Sequence, residues 1–299
     1  MKLIALFLGL LLERTATNLL HLREPRWLDS YFDRGFRYLD RTQGAAAWFV
    51  ALAILIVPVL PVLGLAFVFQ DVLLGVLYVG FAAFVLLFSL GPRDLGSEVD
   101  DYVAAAESGD EDALRRLAKE LVESDLPSGS GRRTMAVEEA VLVQANNRIF
   151  GVIFWFMILG PSGAWLFRVG DLMRRRAVFE AGRESREGQP HPSYLNATQA
   201  LFGILAWMPA RLLAVGYAMA GSFEDAVSDW RGYYEDCSDK FFHVNDEVLA
   251  CAGRGALGEL GVATQPAVRP IQAAMELVNR ALLIWVTAIS LFTIFGLVV

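Results

Sequence analysis

The chain has 299 residues, 55% of them hydrophobic, with a mean hydropathy of +0.43. That is too apolar for a soluble domain of this length and points to an integral membrane protein. The formal charge of −7 argues against nucleic acid as a partner, because phosphate binding needs a net basic surface. The two cysteines, Cys237 and Cys251, lack the CxxC or His/Cys company that marks a zinc site.

The N-terminus has the outline of a signal peptide, with Lys2 followed by an apolar run. The run continues amphipathically through Leu19, Leu20 and Leu22 without a small-residue cleavage site, so the expectation is a retained helix, inserted or interfacial. Segment 21–43 interleaves Arg23, Arg26, Arg34, Arg37 and Arg41 with Trp27, Tyr31, Phe32, Phe36 and Tyr38. That mixture suits the headgroup level of a bilayer; the alternative is a surface helix whose aromatics pack on its neighbours.

Segments 45–69 and 72–90 have the length and apolarity of spanning helices, and no Lys or Arg lies between Trp48 and Pro92. They predict a tight hairpin at Gln70-Asp71, with the arginine-bearing flanks on the cytoplasmic side. Segment 93–139 then carries thirteen acidic and six basic residues. It reads as two short helices joined at Ser108-Gly109-Asp110, the second with an apolar stripe at Leu114, Leu117, Ala118 and Leu121, followed by a flexible loop at 127–131. We take it as a cytoplasmic helical insertion within one membrane domain, 1–299. It could dock a cytoplasmic partner, although so many carboxylates suit a solvated face.

The centre of the chain is 138–168. Gln144, Asn146, Asn147 and Arg148 precede an apolar run, 149–167, interrupted by Gly160-Pro161-Ser162-Gly163. The run is long enough to cross a bilayer, yet the break could turn it back, which would imply a covered cavity at 160–163. The following 168–186 holds six arginines, which stay on the positive-inside side only if the chain turns back. Segment 194–220 is a further apolar helix bent at Pro209 and carrying Arg211; 222–264 is polar and mixed; 282–299 is a final apolar helix. Glu13, Arg14 and Arg211 are ionisable groups in apolar helices, and a Glu13–Arg211 pair is the preferred reading over surface snorkelling.

Motifs of soluble enzymes are weak. Gly253-Arg254-Gly255-Ala256-Leu257-Gly258 fits GxGxxG, but it follows a helix-like segment and lacks a βαβ setting. No GxxxxGK[ST] occurs, and His21, His191 and His243 stand outside any hydrolytic or HExxH pattern.

Phe150-Gly-Val-Ile-Phe-Trp-Phe-Met-Ile-Leu-Gly-Pro161, then Gly163-Ala-Trp-Leu-Phe-Arg168, Trp207-Met-Pro-Ala-Arg-Leu212 and Phe292-Thr-Ile-Phe-Gly-Leu-Val-Val299 together resemble the AmpE family. The resemblance covers nearly the whole chain. It implies a bacterial inner-membrane protein that modulates β-lactamase induction. The family is similar to the CobD/CbiB cobalamin-pathway synthases, which join an aminopropanol unit to adenosylcobyric acid with nucleotide assistance. Of the synthase pattern this chain keeps Glu139 and Pro209-Ala210-Arg211, and its 247–258 segment resembles a helical synthase block. Opposite the acid-rich synthase blocks it has Gln144-Ala-Asn-Asn-Arg148, Gly170-Asp-Leu-Met173 and Phe202-Gly-Ile-Leu-Ala206. Most carboxylates for a metal-nucleotide complex are thus replaced.

The expectation is an all-α, polytopic membrane bundle acting as an AmpE-type regulatory or sensor protein without turnover. A small-molecule ligand, if bound, would meet Glu13, Glu139, Asn146, Asn147, Arg148 and Arg211 in a cytoplasm-facing pocket. No cofactor is expected, nucleotide and divalent metal entering only under the synthase alternative. The partners are the lipid bilayer, such a ligand and a cytoplasmic protein recruited by 97–127.

Overall fold

The computed structural model describes residues 2–15, 27–42, 44–70, 75–91, 94–123, 126–186, 192–226, 244–258 and 268–295; the side chains of 11–15 and 193 fall outside the description. Among these residues the regular structure is helical and no strand occurs. Four helices, Ala45–Gln70, Ser130–Leu159, Tyr194–Ala220 and Arg269–Ile294, are long and apolar enough to cross a membrane. The chain divides into two compact units, Met1–Pro92 with Gly151–Trp207, and Arg93–Phe150 with Met208–Val298.

The first unit contains α1 (Lys2–Thr15), α2 (Trp27–Leu39), α3 (Ala45–Ile56), α4 (Leu60–Gln70) and α5 (Val76–Ser89). The Ala45–Gln70 rod is α3 and α4 joined by one 3-10 turn, Val57–Val59. Only 22% of its most apolar window is buried, and Phe49, Phe67 and Val68 are exposed. An apolar rod that the protein leaves uncovered is what a lipid-facing helix looks like. The expected second span, 72–90, is shorter than its sequence suggested. Its described helix, α5, has 14 residues, about 21 Å of rise, and the joint at 71–74 lies outside the described residues. α4 and α5 nevertheless pair, with Phe69 set edge-on to Phe81 at 5.2 Å.

The first unit is closed by α9 (Gly151–Leu159), α10 (Pro161–Arg186) and the start of α11 (Ser193–Ala220). Of the two sequence readings of 149–167, the structure shows the reversal at the break, preceded by the continuous Ser130–Leu159 helix. α9 ends at Gly160, whose φ of +67° suits a residue without Cβ, and Pro161 opens the return helix. α9 and α10 then pack antiparallel at the closest approach two helices allow. A Cβ on Gly151 would sit 2.2 Å from the Phe167 ring, and one on Gly163 would sit 2.1 Å from the Trp155 carbonyl oxygen. The implied cavity at the break is replaced by packing: residues 160–164 are buried, and the Tyr78 hydroxyl lies 2.9 Å from the place of a Gly160 Cβ.

Prolines leave helix carbonyls without their usual donors, and aromatic side chains supply them. Pro58 cannot serve Ile54, whose carbonyl accepts from Tyr31 Oη at 3.1 Å. Pro209 cannot serve Leu205, whose carbonyl accepts from Trp155 Nε1 at 3.0 Å. In α2, Leu28, Phe32, Phe36 and Leu39 are buried against α3, α10 and Tyr194, while Trp27, Arg34, Arg37 and Tyr38 face outward. The packing reading of the arginine–aromatic segment therefore holds for Phe32 and Phe36, while Trp27 and Tyr38 are left exposed on the opposite face.

The second unit holds α6 (Leu95–Ser108), α7 (Glu111–Val122), α8 (Ser130–Ala145), a π-turn (Asn146–Phe150), the end of α11, α12 (Asn245–Leu257) and α13 (Arg269–Ile294). The expected turn at Ser108-Gly109-Asp110 is present. Gly109 takes φ +71°, Asp110 caps α7 by accepting the Ala113 N–H at 2.9 Å, and Leu114, Ala118 and Leu121 are buried. The GxGxxG sequence lies mostly in α12, where Gly253 packs on Leu142 and Gly255 on the backbone at 225–226. Its glycines serve close helix contacts in a helical setting.

Candidate functional site

The polar centre of the second unit is built on the π-turn. At the end of α8 the Asn146 N–H reaches back three residues to Val143, and the Leu142 carbonyl accepts the Tyr217 hydroxyl at 2.8 Å. Such a wide turn reorients the residues that follow, and π-turns recur at functional positions. Here it aims Arg148 inward. Arg148 Nη1 meets Glu98 Oε2 at 2.7 Å and its Nε donates to Gln144 Oε1 at 3.2 Å, with both charged side chains buried. Gln144 Nε2 in turn donates to the Leu121 carbonyl at 3.4 Å. One arginine thus fastens α6 to the turn, and its glutamine partner fastens α7 to α8.

Among the described residues of this unit, Asn146 Oδ1 and Glu138 Oε1 are buried oxygens without a hydrogen-bond partner. Asn146 is fully buried and spends its amide on Asn147 Oδ1 at 3.3 Å. An unmet buried acceptor costs about 1–3 kcal/mol and is a point a ligand or water could satisfy.

Of the residues singled out from sequence, Asn146, Asn147 and Arg148 share this turn. Glu139 meets Arg254 of α12 at 2.9 Å in a partly exposed pair, and Arg211 donates to Asn245 at the start of α12. Asn245 and Arg254 are separated by about 13 Å of helix rise. Leu142 against Gly253 and Glu139 against Arg254 make α8 and α12 antiparallel, so the Asn245 end lies toward the π-turn and Glu139 lies away from it. On this register the Arg211–Asn245 contact lies on the π-turn side of α12 and Glu139 on the other. The Glu13 side chain lies outside the described residues, so the Glu13–Arg211 pair does too.

Sequence reasoning passed over Glu98 and Asn245, which no local spacing connects to Arg148 or Arg211. It also treated 168–186 as a topological charge. In the first unit Asp171, fully buried, receives Arg168 at 3.0 Å, Arg174 at 3.0 Å and Arg175 at 2.9 Å. The i,i+3 and i,i+4 spacing of Arg168-x-x-Asp171-x-x-Arg174-Arg175 is a readable signal for this cluster. Burial acts to raise the Asp171 pKa, but Arg175, Arg174 and Arg168 together hold the carboxyl well below its usual range. No group of three or more His, Cys, Asp or Glu placed to hold a metal ion occurs among the described residues.

The family model described as "Regulatory signalling modulator protein AmpE" matches residues 1–299. A "Cobalamin biosynthesis protein CobD" of Stutzerimonas stutzeri (strain A1501) is 28% identical over 267 residues, 82% of this chain and 80% of that protein. A protein of the same description from Chromobacterium violaceum is 27% identical over 231 residues, 69% of this chain and 68% of its own. A "Protein AmpE" of Shigella flexneri is 26% identical over 220 residues, 71% of this chain and 72% of its own. No solved structure matches. The four apolar helices, an uncovered apolar rod and a family model that spans every residue lead to one conclusion: the chain is a helical membrane protein and belongs to the AmpE family of regulatory signalling modulators.

Proposed function

We propose that this chain is a multi-pass inner-membrane regulator linked to β-lactamase induction, which responds to a small polar ligand through the π-turn site and does not turn it over. The observation that carries this reading is the pairing of Arg148 with Glu98 beside the unpartnered Asn146 Oδ1. The site's cation is already engaged by an element of the same unit. A ligand that hydrogen-bonds Asn146 and offers its own anion to Arg148 would compete with Glu98 and loosen α6. Such a competition converts occupancy into a structural change, which is what a modulator requires. Arg211, held by Asn245 at the same end of α12, adds a second cation within that neighbourhood.

The test is β-lactamase induction in cells relying on this chain, with wild type compared to Asn146→Leu. The substitution keeps the heavy-atom branching and removes the buried unmet oxygen together with the amide donated to Asn147, and the induction response is expected to be lost while membrane abundance, measured alongside, holds. An unchanged response at unchanged abundance would overturn the proposal.

The CobD relatives favour a second reading, a nucleotide- and metal-dependent synthase of the cobalamin pathway. Two of the unit's carboxylates fit it poorly, since Glu98 is engaged by Arg148 and Glu139 by Arg254. Purified protein that consumed nucleotide only with cobyric acid present would establish this second reading in place of the first.

A further inference from the structure

The first unit contains a cavity of about 510 Å³, lined by Asp33, Arg34, Arg37, Glu180, Arg183 and Tyr194 among others. Its four acidic residues are Asp33, Asp40, Glu180 and Glu184, and none of them is free. Asp33 takes both Arg176 Nε and Nη2 at 2.8 Å, Glu180 takes Arg176 at 2.6 Å and Arg183 at 3.0 Å, and Glu184 accepts the Tyr194 hydroxyl at 3.1 Å. Two of its arginines are not answered in this way. Arg34 spends only its Nε, on the Ser30 carbonyl at 3.0 Å, and neither Arg34 nor Arg37 has an ion pair among the described residues. Although acidic by residue count, the cavity presents unneutralised guanidinium groups, the donor geometry that oxyanions of phosphate accept.

The helix that supplies them, α2, has its apolar face already buried in protein. Trp27, Arg34 and Tyr38, spaced seven and four, share its outward face, and the two aromatics are 64% and 66% exposed. Exposed Trp and Tyr flanking arginine is the composition of a helix lying at the headgroup level. The cavity and this face adjoin on one element.

We propose that the cavity binds the phosphodiester headgroup of an anionic phospholipid, held by Arg34 and Arg37, with Trp27 and Tyr38 seated at the interface beside it. The chemistry is shared with free phosphate, but the aromatic face gives a lipid, and not a soluble anion, a second point of attachment.

The experiment is native mass spectrometry of the full chain released from nanodiscs of mixed phosphatidylglycerol and phosphatidylcholine. Wild type is expected to retain phosphatidylglycerol preferentially. Arg34→Gln/Arg37→Gln should lower that retention on the order of tenfold, while Arg115→Gln/Arg116→Gln, with the same charge change on exposed α7, should not. Arg34 and Arg37 are exposed, so the double variant should melt with wild type, and that melt is recorded alongside. Equal retention of the two lipids, or equal loss in both double variants, would overturn the proposal. Displacement of phosphatidylglycerol by millimolar inorganic phosphate would assign the site to a soluble anion and overturn the lipid assignment.

Discussion

The Asp171 cluster gives the sharpest quantitative test. Three guanidinium groups converge on one carboxylate that is fully buried, and Arg168 itself is 2% exposed. Asp171→Asn keeps the shape and removes the only negative charge in the cluster. Arg174 and Arg175 are 17% and 25% exposed at their side chains and can turn toward water, with Arg174 already resting over the Phe202 ring at 5.1 Å. Arg168 has no such exit. Breaking a buried pair from one side costs about 3–5 kcal/mol, and the escape of the two outer arginines points to the lower end, ~3 kcal/mol. Arg168→Met leaves Asp171 with two guanidinium partners and should cost less. In Arg168→Met/Asp171→Asn both buried charges are gone, so the double variant should be more stable than the sum of singles predicts, by at least ~1 kcal/mol. Denaturant unfolding in detergent, read by intrinsic fluorescence, measures all four proteins. Losses that add to within ~0.5 kcal/mol would refute the coupling. The pH sign is also fixed. A carboxyl whose folded pKa is depressed stabilises above its unfolded value of about 3.9 and loses that contribution only as pH falls through the folded value. This group should therefore leave stability flat between about pH 5 and pH 8.

The helical hairpin offers a second test: Gly163→Ala places a methyl 2.1 Å from a backbone oxygen, so α9 and α10 must separate, and a loss of about 2 kcal/mol or more in thermal or denaturant unfolding is expected despite alanine's better helix propensity. A wild-type melt would show the hairpin to be looser than described. Trp155→Phe removes the donor to Leu205 and should cost about 1–2 kcal/mol; in a Pro209→Ala background, where residue 209 regains its N–H, the same change should cost clearly less. Equal costs in the two backgrounds would separate Trp155 from the proline break. Glu98→Gln strips the counter-charge from buried Arg148 and should lower stability by ~3 kcal/mol while raising protease cleavage within 95–122, since α6 loses its tie to the π-turn. Unchanged cleavage would show that the ion pair does not hold α6.

What could be read from sequence were the features that depend on neighbours in the chain. The 45–70 rod is apolar all round because lipid faces much of it, so hydropathy reports it directly. Gly109 and Asp110 announce a C-cap and an N-cap by residue type alone. The Arg148–Glu98 and Arg211–Asn245 contacts join residues 50 and 34 positions apart, so they exist only once helices pack. The same limit explains Glu139, which belongs by sequence to the approach to 146–148 but lies nine residues, about 13 Å of rise, before Arg148 and turns toward Arg254. Asp171 is the instructive exception. Its partners are local, but a run of arginines draws attention to net charge, and a single acid inside the run is easily counted as a minor offset.

The turn at Gly160 changes how the arginine run is understood. α9 is the end of one continuous helix, Ser130–Leu159, whose 30 residues are long and apolar enough to cross a membrane. After Gly160 the antiparallel return of α10 reverses the direction of the chain. Arg168 is eight residues beyond Gly160, so the run begins after about the length of α9 has been retraced. The arginines consequently lie on a returning helix, and the first of them, Arg168, is buried beside the hairpin. That burial accounts for Asp171: guanidinium groups leaving an apolar hairpin need a counter-charge before they reach solvent, and the carboxylate one turn along α10 supplies it.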